Sequence, residues 1–365
     1  MYVDSLENWF TFYYDTNTSH PISGNQNASI YINNELVTSL ILPETITTVK
    51  AWPFYGYRKL TSLTLHDNLV SLSKDAFGYL PNLEEINIPK DSSYWYLEDN
   101  ILYTSTKEWV VCSTIYLEGN IVLPEEVTFI PLGAFYERIG LTEMRLPDSV
   151  TEIRTLAFSK CSNLECINIP KSVITLGAAF SACPKLSKIY LEAENIETAS
   201  SNVFGGQNST TGSATTDMTL YVGEAVTKIP NYFMYYNAYL KKVEFSENTV
   251  CSNIGEYAFY VCNKLSEISL PESLTTIGTY AFKDCDSLET IIIPEGVATI
   301  GYRAFYNTPN LIIMCYAKSR PSGWNSTWAS GYFSVVWGYD GYVYTFHFIT
   351  NSDIVVESIT TEKMV

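Results

Sequence analysis

Positive charge is scarce in this sequence. Lysine plus arginine number 22 against 39 aspartate plus glutamate, a net charge of −17 over 365 residues. Nucleic-acid binding draws on cations that neutralise phosphates, and anionic lipid surfaces attract clustered lysine and arginine. Neither supply exists here, so no nucleic-acid partner is expected. Charged residues of all kinds make up only 17% against 46% hydrophobic, which excludes a disordered chain and calls for a large buried core. No apolar run reaches the roughly 18 residues of a membrane span, and no charged-then-apolar signal segment opens the chain. No membrane insertion is expected of this stretch.

Reactive patterns are equally sparse. The three histidines, His20, His66 and His347, lie in unrelated regions, and no motif sets one of them with the nucleophile and carboxylate that a triad requires. There is no G-x-S-x-G, H-E-x-x-H or G-x-x-x-x-G-K segment. The eight cysteines contain no C-x-x-C pair of the kind that begins a zinc set. No catalytic residue, metal or cofactor is expected, and the chain reads as a non-enzyme.

What is present is a repeat. Ten phenylalanines anchor it: Phe54, Phe77, Phe135, Phe158, Phe180, Phe204, Phe233, Phe259, Phe282 and Phe305. Seven follow an alanine, most are 22 to 24 residues from the next, and a leucine comes six residues later in most copies. Each copy ends in a short alternating run, such as Ile167-Asn168-Ile169, which reads as a strand with the isoleucines inward. Pro170 has no N–H to donate and ends it. Ala-Phe then packs a short turn, read as helical, against the strand. One unit cannot cover its own apolar face, so neighbouring units must stack. Strand ends at 42, 65, 88, 123, 146, 169, 191, 222, 245, 270, 293 and 316 predict twelve parallel strands. At about 4.8 Å each, the sheet is roughly 55 Å long.

Four cysteines, Cys161, Cys183, Cys262 and Cys285, stand three residues after a phenylalanine. Other copies place Tyr57, Leu80 or Thr308 there. A column open to such replacements is a packing site, and free cysteine packs as a small hydrophobe. Buried, unpaired thiols are expected.

The phrase Leu265-Ser-Glu-Ile-Ser-Leu-Pro271 with Ala281-Phe282-Lys-Asp-Cys285 resembles the BspA-like class of leucine-rich repeats, over residues 30–318. The resemblance implies an α/β repeat solenoid, a right-handed superhelix with a parallel concave sheet and short helical turns on the convex side. Residues 1–29 resemble the truncated N-terminal end of an array. Residues 319–342 resemble the family's closing segment, and 343–365 a linker or the start of an internalin-type β-grasp repeat. Within the array, 91–117 reads as an inserted β-hairpin with a polar tip at Thr104–Lys107, and 205–216 as a small, polar surface loop.

The solvent side of the sheet offers the one surface with binding character. Its two outward rows close with Cys315 and Ile313, and its middle holds Arg145, Asn168, Lys188, Tyr190, Tyr221, Lys242 and Glu244. Tyrosine and arginine are favoured interface anchors, although cross-strand pairs of these types also stabilise a sheet. The resemblance implies a monomeric, non-catalytic interaction module of a bacterial surface or secreted protein. Its partner would be a host matrix or cell-surface protein, or another microbe. The alternatives are a structural spacer and a glycan-binding module, the latter prompted by tyrosine and tryptophan, including Trp324 and Trp328.

Overall fold

The computed structural model describes residues 1–11, 27–50, 52–204, 216–330, 334–343 and 362–363. It is a β-solenoid. Along one side run Ser39–Ile41 (β1), Ser62–Thr64 (β2), Glu85–Asn87 (β3), Glu118–Val122 (β4), Gly140–Arg145 (β5), Cys166–Ile169 (β6) and Lys188–Leu191 (β7). Met218–Val222 (β8), Leu240–Phe245 (β9), Glu267–Ile268 (β10), Thr290–Ile293 (β11), Ile312–Cys315 (β12) and Ser334–Trp337 (β13) continue the row. All pairings within it are parallel, in stretches β1–β3, β4–β10 and β11–β13. The first twelve answer the expected strands; β13 was expected only as part of a closing segment.

The last register differs from expectation by one residue. Ile291 pairs with Ile313 and Ile293 with Cys315, so Ile313 and Cys315 point inward and are fully buried. The turn after Phe305 is one residue shorter than its predecessors, and with a side-chain period of two a single step exchanges the faces.

The core is a column of rings. Phe135, Phe158, Phe180 and Phe204 stack at 5.0–5.3 Å between successive centroids, and Phe259, Phe282 and Phe305 at 5.2–5.3 Å. Trp328 closes the end edge-on to Phe305, with Trp324 and Trp337 beside it. Trp324 and Trp328 are only 3% and 4% exposed. They cap the core, so they are not the exposed stacking platforms that the glycan reading needed.

The turn side is not helical; the one α-helix among the described residues is Leu6–Thr11. Residues of positive φ flank the Ala-Phe pair: Leu156 and Lys160, Tyr257 and Val261, Tyr280 and Asp284, Arg303 and Asn307. Left-handed residues so spaced break any run of i→i−4 bonds. The turn N–H groups donate to the next coil instead, as from Phe158 to the Ala179 carbonyl (2.9 Å) and from Lys160 to Ser181 (2.8 Å). A second parallel ladder of two-residue strands, such as Thr276–Ile277 with Thr299–Ile300, lies between sheet and turns. Coils approach so closely there that a Cβ on Gly278 would stand 2.6 Å from the Glu256 nitrogen.

The inserted hairpin is a three-stranded meander, because Asp99 and Asn100, both of positive φ, turn the chain earlier than expected. Trp95–Glu98, Ile101–Thr104 and Val110–Ser113 pair antiparallel. Both faces are covered: Ile101, Tyr103 and Val110 belong to the core that follows, Leu102, Val111 and Cys112 to the core that precedes. That explains the unbroken apolar runs. Arg138, three residues after Phe135 and thus in the cysteine column, is buried at this seam. It donates to the Leu80, Pro81, Tyr136 and Ser113 carbonyls and to the Ser113 hydroxyl at 2.6–3.1 Å. Burial lowers its pKa to about 10.

Near the start of the chain, Tyr2–Val3 pairs parallel with Tyr31–Ile32. The expected surface loop lies outside the described residues except at 216, and the expected β module outside them except at 343 and 362–363.

Candidate functional site

The cysteine column is built as packing. Cys161, Cys183, Cys262 and Cys285 are at most 1% exposed, and all eight cysteines are free. Their thiols donate to main-chain carbonyls of the preceding coil: Phe135, Phe158, Met234 and Phe259, at 3.0–3.2 Å. Burial raises the Cys161 pKa to about 12 and pushes Cys183 and Cys285 well above the usual thiol range. Such thiols are poor nucleophiles. Among the described residues no cluster of three or more His, Cys, Asp or Glu is placed to hold a metal ion. His66 is buried, its Nε2 2.8 Å from the Pro43 carbonyl and its Nδ1 accepting the Asn68 N–H.

The seven residues predicted on the solvent face divide in the structure. Tyr190 and Tyr221 occupy paired positions of β7 and β8. Their rings stack at 4.8 Å with an interplanar angle of 14°, and Tyr190 keeps 37% of its surface exposed. Burial, then the neighbouring Cys166 and Tyr221, raises the Tyr190 pKa. Lys188, Thr219 and Lys242 form the adjoining row across β7, β8 and β9. Lys242 is held by Glu244 at 2.7 Å and Glu267 at 3.5 Å. Arg145 is exposed and has no ion-pair partner among the described residues. It shares a hollow of about 200 Å³ with Tyr190, Glu143 and Glu192. A second hollow of about 250 Å³ lies between Tyr190, Tyr221 and Glu244.

Asn168 belongs to the ladder. Its amide accepts the Leu146 N–H and donates to the Leu146 carbonyl, both at 2.8 Å. It replaces main-chain bonds at the strand end and has little left for a ligand.

Sequence reasoning missed a second surface. On the turn side, Tyr232 stacks on Tyr257 at 4.9 Å and Tyr235 on Tyr260 at 5.2 Å. Tyr280 and Tyr302 continue the ridge, with Lys283 over Tyr260 and Arg303 over Tyr306. The signal was present as tyrosine beside Ala-Phe in successive copies.

Stacked parallel strands with one unit per coil and a ring column beneath them define a leucine-rich repeat solenoid. The family model for the BspA type leucine-rich repeat region matches in six copies over 27–117, 112–219 and 212–319; the chain belongs to this family. A leucine-rich repeat protein from Eubacterium ventriosum is similar over 85% of this chain and 89% of its own, at 18% identity and a TM-score of 0.50. A leucine-rich cell surface protein from Faecalibacterium prausnitzii is 22% identical over 82% of this chain and 87% of its own, with a TM-score of 0.40. The pneumococcal vaccine antigen PcpA is 14% identical over 82% and 67%, with a TM-score of 0.48. No curated protein sequence matches the chain. The family matched is one of repeat proteins, and no enzyme family is indicated. Among the described residues no helix is long and apolar enough to cross a membrane.

Proposed function

We propose that the chain is a non-catalytic interaction module of a bacterial surface or secreted protein, adhering through the solvent face of its sheet to host matrix proteins, host cells or other microbes. The observation that carries the reading is the stacked Tyr190–Tyr221 pair, set beside Arg145, which is exposed and makes no ion pair among the described residues. Strand-borne side chains are already ordered, so they lose little freedom on binding, and tyrosine and arginine supply most interface anchors. The surface location rests on the family. The working unit is the array at 30–318 with its closing segment, wound right-handed as parallel crossovers are.

Binding to immobilised extracellular-matrix proteins and to epithelial cells tests the reading. Tyr190→Ala with Tyr221→Ala should weaken binding by about 2 kcal/mol or more, roughly thirtyfold, with thermal melts unchanged. Glu256→Gln, exposed on the turn side, serves as the control. Parent-like binding by the tyrosine variant removes the site. A failure of the parent to bind any of these surfaces favours the spacer.

A further inference from the structure

Between β10 and β11 the main-chain ladder stops. Two bonds recur at other junctions. An N–H at a strand's end donates to the next strand, as from Leu65 to Asn87 (2.9 Å) and Leu123 to Arg145 (3.0 Å). An N–H at a strand's start donates backwards, as from Ser187 to Glu165 (3.0 Å) and Ile312 to Glu289 (2.8 Å). No counterpart joins residues 266–270 to 289–293 among the described residues. The turn side keeps its spacing: Phe259, Phe282 and Phe305 stack without a gap, and Thr276–Ile277 still pairs with Thr299–Ile300. The two coils are therefore hinged apart on the sheet side alone.

The opening reaches the core. Ile268 and Leu270 occupy inward positions yet are only half-buried, whereas Ile167, Ile189, Leu220 and Ile291 are at most 1% exposed. The resulting cleft, of about 700 Å³, is walled by Phe245, Ile268, Leu270 and Ile292 and rimmed by Glu244, Glu267 and Glu272. Its one cation, Lys242, is engaged by two of those carboxylates.

We infer that this cleft docks an extended segment of a partner protein, built of alternating apolar and basic residues, which pairs as a strand with the free edge of β11 and covers Ile268 and Leu270. An unpaired edge is a template for a further strand. Alternation turns every second side chain toward the half-buried floor, and the acidic rim selects basic residues between them. This names a partner class for the interaction module proposed above, at a site apart from the tyrosine pair.

The probe is a fluorescein-labelled Lys-Val repeat peptide, titrated by anisotropy at physiological salt beside the same peptide N-methylated at alternate residues. Methylation keeps side chains and charge but deletes main-chain donors. The expected result is saturable binding of the first, weakened about tenfold or more in the second. Hydrogen exchange over 289–293 should slow when the first peptide is bound. Leu270→Lys should weaken binding comparably, while Val122→Lys, on the solvent side of β4 and far from the cleft, leaves it unchanged. Should Leu270→Lys fail to fold, the two peptides on the parent protein still decide. Equal binding of both peptides, or binding of neither, overturns the proposal. Peptide docking that persists while the tyrosine variant loses matrix adhesion, or the reverse, separates the failure of one site from that of the other.

Discussion

From β5 to β9 the sheet is closed: each strand is bonded to the next, inward side chains are buried through β8, and Tyr190 and Tyr221 lie flat on a continuous surface. One strand further on, the same repeat phrase yields a gap with apolar walls. The ring column beneath is the same in both places, so packing on the turn side does not require the ladder to close. The burial of the residues that end the strands differs between the two stretches. Leu146, Ile169, Leu191 and Val222 are buried where the sheet is closed, and Phe245, half-buried, stands at the opening. The solenoid thus carries a rigid display surface and an unfinished edge within one sheet.

The largest expected effect strikes what both regions share. Phe282→Ala removes the ring between Phe259 and Phe305 and should cost about 3–5 kcal/mol in denaturant unfolding. A loss no greater than that of a surface substitution would mean that the ring column does not hold the coils together.

The next prediction separates the two regions. Leu146 is 2% exposed in the closed stretch, and Leu146→Ala should cost about 2–5 kcal/mol. Leu270 holds the equivalent position at the opening, half-buried. Leu270→Ala should cost clearly less, since less surface leaves water there. Equal losses would show that the opening is closed in solution.

The smallest effects concern the thiols. Cys161, Cys183, Cys262 and Cys285 should resist alkylation in the folded protein near neutral pH, while half-buried Cys166, on the solvent face, labels first. In denaturant all should label. The folded-state pKa is raised to about 12 for Cys161 and Cys315 and to about 11 for Cys251, in each case by burial. Unfolded thiols lose their protons first, so this contribution is whole below about pH 9. It is lost as pH rises from there toward 12. Stability that is flat across that window would contradict the burial of the column.

Much of this was legible in the sequence. The alternating runs located every strand from β1 to β12 because period two is a local signal, reinforced by a terminal proline after seven of them. The cysteine column was readable from its replacements. Tyr190 and Tyr221 could be paired from strand spacing alone. The helical turn was not correct, since residues such as Leu156 and Lys160 adopt positive φ only because the next coil takes their hydrogen bonds. Arg138 in the cysteine column gave no warning of its five bonds, two to Ser113 of the meander and three to Leu80, Pro81 and Tyr136 beside it. Trp324 and Trp328 read as surface residues, because nothing local tells a cap from a platform. The opening beside β10 was invisible because Ser269-Leu270-Pro271 obeys the repeat; only its packing against the neighbouring coil departs from it.

Hydrogen exchange of the unliganded protein, resolved by mass spectrometry, tests the contrast between the two regions most directly. Amides of Ile189 in β7 and Leu220 in β8, within the closed ladder, should exchange as slowly as global unfolding allows. The Leu270 amide, which has no counterpart to the Leu123–Arg145 bond, should exchange orders of magnitude faster under the same conditions. Protection of Leu270 equal to that of Ile189 would show a continuous ladder and contradict the account.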